Sequence, residues 1–206
     1  MTSLPRAAGL ALWLNAWLRG CASPDDVHTA LGEELHHVFL GLQSSPLSWV
    51  EALGAIRQLN SRASVALTAP GDPVGLAGPP LFNASVIEQG EALLLPGAAL
   101  GFIPVRVGGA IEWRGQTAAA PIPLDSREAR QRLRQELRET TEELIDLQVA
   151  SWNSAIPDLL MNRTQTAPVP PAVTPENRDA LASAELCLAI LDAAREVQPG
   201  AMSASQ

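Results

Sequence analysis

The three histidines of this 206-residue chain, His28, His36 and His37, fall in one short window with Cys21, Asp25, Asp26, Glu33 and Glu34. Imidazole is the commonest metal ligand and the side chain whose charge changes near neutral pH. A concentration of it therefore invites a metal or proton-transfer reading. Asp25 and His28 are three residues apart, on one helical face, and His36 could add a third ligand beside an open coordination position. The spacing argues the other way. His36 and His37 are adjacent, so on a strand they point to opposite faces and only one can join a site. No H-x-x-x-H or C-x-x-C pair occurs. The window reads as a polar helix end followed by a half-buried strand, and no metal or other cofactor is expected. Asp25, His28 and His36 are the residues a metal would have to use.

A second concentration is the loop Gly71-Asp72-Pro73-Val74-Gly75-Leu76-Ala77-Gly78-Pro79-Pro80, between a strand pattern and a helical one. Loops at the carboxyl ends of parallel strands are where open α/β sheets bind ligands. Gly71 and Gly75 would let backbone N–H groups approach an anion, Asp72 could orient a hydroxyl, and Asn83 just beyond could point into the same crevice. The spacing fits neither dinucleotide nor nucleoside-triphosphate loops, and the chain has no Lys to reach a phosphate. The plainer reading is a surface loop stiffened by its prolines. For nucleophilic catalysis there is no G-x-S-x-G elbow, and Cys21 has only these histidines as bases. No catalytic residue is assigned.

Charge narrows the partners. All 14 cations are Arg, against 22 acids, for a net charge of −8; Tyr is absent and Trp occurs five times. Amino acids with GC-rich codons dominate, which points to a GC-rich bacterial source. An acidic chain repels a phosphate backbone unless a basic stripe overrides it. The arginines from Arg127 to Arg138 are interleaved with glutamates and lack aromatic neighbours, so nucleic-acid binding is not expected. No apolar run reaches the roughly 18–20 residues a membrane span needs. Cys21 and Cys187 do not make a disulfide framework. Ala7–Leu18 could suggest a leader peptide, but Asn15 and Arg19 interrupt that pattern, and Leu10, Trp13, Leu14, Trp17 and Leu18 form an amphipathic stripe. The stretch reads as a core helix of a cytoplasmic protein.

The elements follow from periodicity and caps. Ser3 with Pro5 opens a helix to about residue 20, and Ser23-Pro24-Asp25-Asp26 opens a short second one. Residues 35–40 read as a strand, 48–60 as a helix and 64–67 as a strand, a succession that predicts a βαβ unit with parallel pairing. Residues 81–89 are helical, and strands follow at 91–95, 101–107 and 110–114. The last two are joined by Gly108-Gly109, the pair a type I′ hairpin wants. Asp125 with Glu128 starts a long helix reaching toward Trp152, with a short turn of helix through Met161.

The expected fold is a mixed, mostly parallel α/β sheet of four or five strands over 1–120, with a βαβ start and a β-hairpin. Helices over 121–163, a polyproline-type linker at 164–173, a last helix over 174–200 and a tail at 201–206 complete a C-terminal helical pair. With so little chemistry available, the reading is a non-enzymatic protein acting through protein–protein contacts with a partner or as a homodimer. The alternative is a small-molecule-binding protein or enzyme with its site at the Gly71–Pro80 loop.

Overall fold

The computed structural model describes residues 4–32, 35–68, 75–76, 78–119, 125–146 and 168–197. They fall into two units, an α/β unit within 4–119 together with 168–172, and a helical unit of 125–146 and 173–197. The α/β unit runs α1 (Arg6–Leu18), α2 (Pro24–Leu31), β1 (His36–Leu40), β2 (Leu47–Ser48), α3 (Trp49–Gln58), β3 (Ser64–Leu67), α4 (Pro80–Gln89), β4 (Glu91–Leu95), a 3₁₀ turn (Pro96–Ala98), β5 (Leu100–Val107) and β6 (Ala110–Thr117). The helical unit holds α5 (Ser126–Asp146) and α6 (Pro175–Val197). The short helix expected through Met161 and the tail at 201–206 lie outside the described residues.

The sheet corrects the expected topology. It has six strands in the order β2-β1-β6-β5-β4-β3, and β1–β6 is its one parallel pair. β1 and β3, expected to be parallel neighbours, stand at opposite sides of the sheet, with β3 at the far edge against β4. The cause is the meander β4–β5–β6, which fills the centre and offers β6 to β1. Its register sets His37 beside Ile111 and Phe39 beside Trp113, so apolar faces match. The additional strand, β2, has two residues, too few for alternation to mark it in the sequence. The hairpin at Gly108-Gly109 is present, but positive φ occurs at Gly108 (+59°) and not at Gly109. That is the pattern of a type II′ turn, not type I′.

Alternation along the strands divides the core. On one face His37, Phe39, Ile111, Trp113, Phe102, Leu93 and Leu95 are buried under α1, α2 and α3, which contribute Leu10, Leu14, Trp17, Val27, Leu53 and Ile56. On the other face, Ala66, Ala92, Leu94 and Ile103 meet Phe82 and Val86 of α4. The backbone approaches most closely where β1 ends. A Cβ on Gly115 would sit 2.6 Å from the Leu40 carbonyl oxygen, so only glycine fits there.

Two polar side chains attach α1 to this sheet. The start of α1 has Pro5 at its cap position and no side-chain cap of its own. Instead Glu91 of β4 accepts the Ala7 N–H at 2.7 Å, a long-range substitute for a local cap. Burial pushes the Glu91 carboxyl up, against the opposing pull of that N–H and of the Arg6 charge. Asn15, the interruption in the apolar stripe, donates from Nδ2 to the Ala63 carbonyl at 2.8 Å and accepts the Ala63 N–H at 2.9 Å. Its amide thus stands in for a neighbouring strand just before the edge strand β3.

In the helical unit, Thr174 Oγ1 accepts the Asn177 N–H at 3.4 Å, and Pro175 occupies the first position of α6. Along α5, Arg132 pairs with Glu128 at 2.7 Å. Both side chains are exposed, so the pair contributes little stability. Among the described residues no helix is long and apolar enough to cross a membrane.

The Asn15 amide makes both of its bonds in a partly buried place, so Asn15→Ala leaves a donor and an acceptor of residue 63 unanswered. The expected loss is about 2 kcal/mol, read as the change in urea unfolding free energy. A loss below ~0.5 kcal/mol would mean that the amide does not hold α1 to β3.

Candidate functional site

The histidines gather where two local features meet. Ser23 and Asp26 close a capping box at the start of α2, and Ser48 and Glu51 close another at the start of α3. Both acids are held below the ordinary carboxylate range, Asp26 by the Ser23 N–H and then its hydroxyl, Glu51 by the Ser48 hydroxyl and then its N–H. These caps place His28 on α2 and Trp49 on α3 face to face, ring centroids 4.5 Å apart and 9° from parallel. β2 pairs only with Val38 and Phe39, so beyond Val38 the two chains part. The opening is a cavity of about 660 Å³ lined by His28, Leu35, His36, His37, Val38, Pro46, Leu47, Ser48 and Trp49.

Only part of this imidazole is chemically available. His37 is 4% exposed, while His36, next to it on β1, is exposed, as opposite faces of a strand require. The Trp113 indole N–H donates to His37 Nδ1 at 3.2 Å. An indole can only donate, so Nδ1 is unprotonated, and the proton of the neutral ring is on Nε2, 3.3 Å from the Gly32 carbonyl oxygen that accepts it. Burial pushes the His37 pKa down, the Gly32 carbonyl opposes this, and the Arg6 and His28 charges push it further down. Both nitrogens are engaged, which leaves no lone pair for a metal or a substrate proton.

The other candidates separate. His28 and His36 share the cavity, whereas Asp25 does not line it. Among the described residues no three His, Cys, Asp or Glu side chains converge as a metal site. Cys21 is exposed. Gly71 and Asp72 lie outside the described residues. Gly75, at φ +87°, sits so that a Cβ would be 3.4 Å from the Ala66 Cα, close against β3. Asn83 Oδ1 accepts the Gly78 N–H at 3.1 Å. Gly75 sits beside β3 at one edge of the sheet, and the histidines are at the β1–β2 edge. What sequence reasoning missed was the pairing of histidine with tryptophan, His28 with Trp49 and His37 with Trp113. Spacing alone did not decide which histidine faces the core, since Val38 and Leu40 share the face of His36 and Phe39 that of His37.

Two family models match the chain. The Rv1486c-like protein N-terminal domain covers residues 7–128, and the Rv1486c-like protein C-terminal domain covers residues 127–206. Two curated relatives come from Mycobacterium tuberculosis: the uncharacterized protein MT1533 of strain CDC 1551 / Oshkosh and the uncharacterized protein Rv1486c of strain ATCC 25618 / H37Rv. Each is 31% identical over 123 residues, covering 48% of this chain and 43% of the relative. The match thus spans less than half the length of either relative. No solved structure matches the chain.

The His37 arrangement makes stability depend on pH in one direction. Unfolded, the ring takes its proton near the ordinary value of 6.5; folded, it resists until a lower pH. The unfolded chain therefore binds more protons below that value, and stability falls as pH drops through it. Glutamine can accept from Trp113 and donate to Gly32 without titrating. Urea unfolding across pH should show wild type losing stability below about pH 6.5 more steeply than His37→Gln. The difference should reach about 1.4 kcal/mol for every tenfold by which folding weakens proton binding to the ring. Parallel curves would remove the neutral-ring assignment.

Proposed function

The chain belongs to the Rv1486c-like protein family, and we propose that it works through protein–protein contacts made by its C-terminal helices. The partner in this reading is a second copy of the chain, and the role is not catalytic. The reading is carried by the apolar side chains that the helices leave in water. On α6, Leu186 and Leu188 are each 45% exposed and Ile190 is 40% exposed. Two residues turn a helix by about 200°, so Leu186 and Leu188 stand on nearly opposite sides. A helix packed against one neighbour needs one apolar stripe. The second side of α6 calls for a further contact.

Charge favours a copy of the same chain. Along α5 the arginines 127, 130, 132, 134 and 138 crowd the first half, while Glu139, Glu142, Glu143 and Asp146 fill the end. Laid antiparallel on its own copy, the basic half meets the acidic half, a self-complementary two-fold pairing. A parallel copy would set like charges together. The alternative, a ligand site in the Gly71–Pro80 loop, requires Asp72 as its anchor and would have to displace the Gly78–Asn83 bond.

Sedimentation velocity across a concentration series tests the reading. A reversible dimer is expected, and Leu186→Arg with Leu188→Arg should weaken it at least tenfold, about 1.4 kcal/mol. Arg130→Glu with Arg134→Glu should weaken it too. Mixing that variant with Glu139→Arg, Glu142→Arg should restore a mixed dimer. A strict monomer at every concentration overturns the proposal.

A further inference from the structure

Residues 168–172, Pro-Val-Pro-Pro-Ala, read by composition as linker, yet they are part of the α/β unit. Trp13 on α1 donates its indole N–H to the Pro168 carbonyl oxygen at 3.2 Å, across 155 positions of sequence. Pro170 is buried, while Pro171 beside it is exposed. The segment is stiff before it binds. Each proline fixes its own φ, and each residue before a proline is driven to the extended region, which together cover 168–170; the chain turns at Pro171-Ala172. Little conformational freedom is lost on docking, the reason proline-rich segments are favoured ligands of aromatic surfaces.

The receiving side has the matching chemistry. An extended proline segment has few N–H groups to offer but a carbonyl at every residue, so a surface that reads it supplies donors and flat apolar area. The Trp13 indole supplies both, its ring packed against the core cluster and its N–H turned to the carbonyl. One turn on, Trp17 is 8% exposed and has the Arg57 guanidinium 4.7 Å over its ring. The two tryptophans of α1 thus have different duties, Trp17 in the core under a cation and Trp13 facing the proline segment.

We propose that the Trp13 face of α1 is a recognition surface for extended proline-rich peptide, occupied in this chain by its own residues 168–170, before the chain turns at Pro171-Ala172. A proline-rich segment of another protein reaches the surface only by displacing the resident one, which competes at an effective concentration of about millimolar. The inference concerns the α/β unit and does not depend on the dimer reading given to α6.

The test uses the full chain and the synthetic peptide of residues 166–173, followed by the indole N–H signals in NMR. Trp13 is assigned by its loss in Trp13→Phe, and the Trp113 signal reports that the core is intact. In the variant Pro168→Ser, Pro170→Ser, Pro171→Ser, the Trp13 signal should move while Trp113 stays. Added peptide should return it to the wild-type position, binding at least about tenfold more tightly than to wild type. Trp13→Phe in that background keeps a ring and loses the donor, and should weaken the peptide. An unmoved Trp13 signal, or peptide that fails to return it, overturns the proposal. So does peptide binding that is indifferent to Trp13→Phe. A wild-type dimer that the triple variant converts to monomer would overturn occupancy from the same chain and put the second copy's segment on the surface.

Discussion

A tryptophan buried completely brings an N–H into a place without water, and that donor has to be answered by the protein. Trp113 is 0% exposed, and its answer is His37 Nδ1. Much of the α/β unit depends on this one bond. It holds β1 against β6 and compels the histidine to be neutral and to carry its proton on Nε2. That proton then reaches the end of α2 at Gly32. Phe39, two residues along β1, stacks on the same indole at 5.6 Å, with the Phe102 ring edge-on to it at a further 5.6 Å. The parallel pair therefore has an aromatic and polar interior that no slip of register would preserve, since moving β1 by one residue would bring His36 and Val38 inward.

This explains which parts of the fold were legible in the sequence. The strand at 101–107, the Gly108-Gly109 turn, the helix starts near Ser23 and Ser48 and the apolar stripe of α1 are all decided within a few residues. Their physics is local, and the elements lie where those signals put them. Adjacency is different. Strand, helix and strand in succession suggest that β1 and β3 pair, but the parallel partner of β1 begins only at Ala110. Nothing near 36–40 encodes that choice except the side chains that have to match across it. Glu91 at the start of α1 and Asn15 at Ala63 are long-range in the same sense. Each reads in isolation as an exception to a pattern, and each completes backbone hydrogen bonding in a distant element.

The site was legible to a similar extent. Adjacent histidines on a strand had to diverge, and they do, His37 into the core and His36 outward. The sequence could not say that both nitrogens of His37 are spent on structure, because Trp113 and Gly32 approach it only after folding. The Trp13 contact was less visible still. A tryptophan at the margin of an amphipathic stripe reads as core, and a run of prolines reads as spacer. Only their juxtaposition changes either meaning.

The tryptophans carry this logic furthest. The chain has no Tyr or Lys, so indole is its one large aromatic group that also donates a hydrogen bond. The four described indoles are stationed differently. Trp113 lies in the core on His37, Trp17 under Arg57, Trp49 against His28 and Trp13 on the Pro168 carbonyl. Trp17 is itself part of the core, but Trp49 and Trp13 are only partly buried, and the neighbour of each can be exchanged where a core neighbour cannot. A guanidinium, an imidazole and a proline carbonyl are also what such aromatic faces select from a partner chain. The imidazole locked in one tautomer belongs to the core, whereas Trp13 and Trp49 keep part of each ring at the surface.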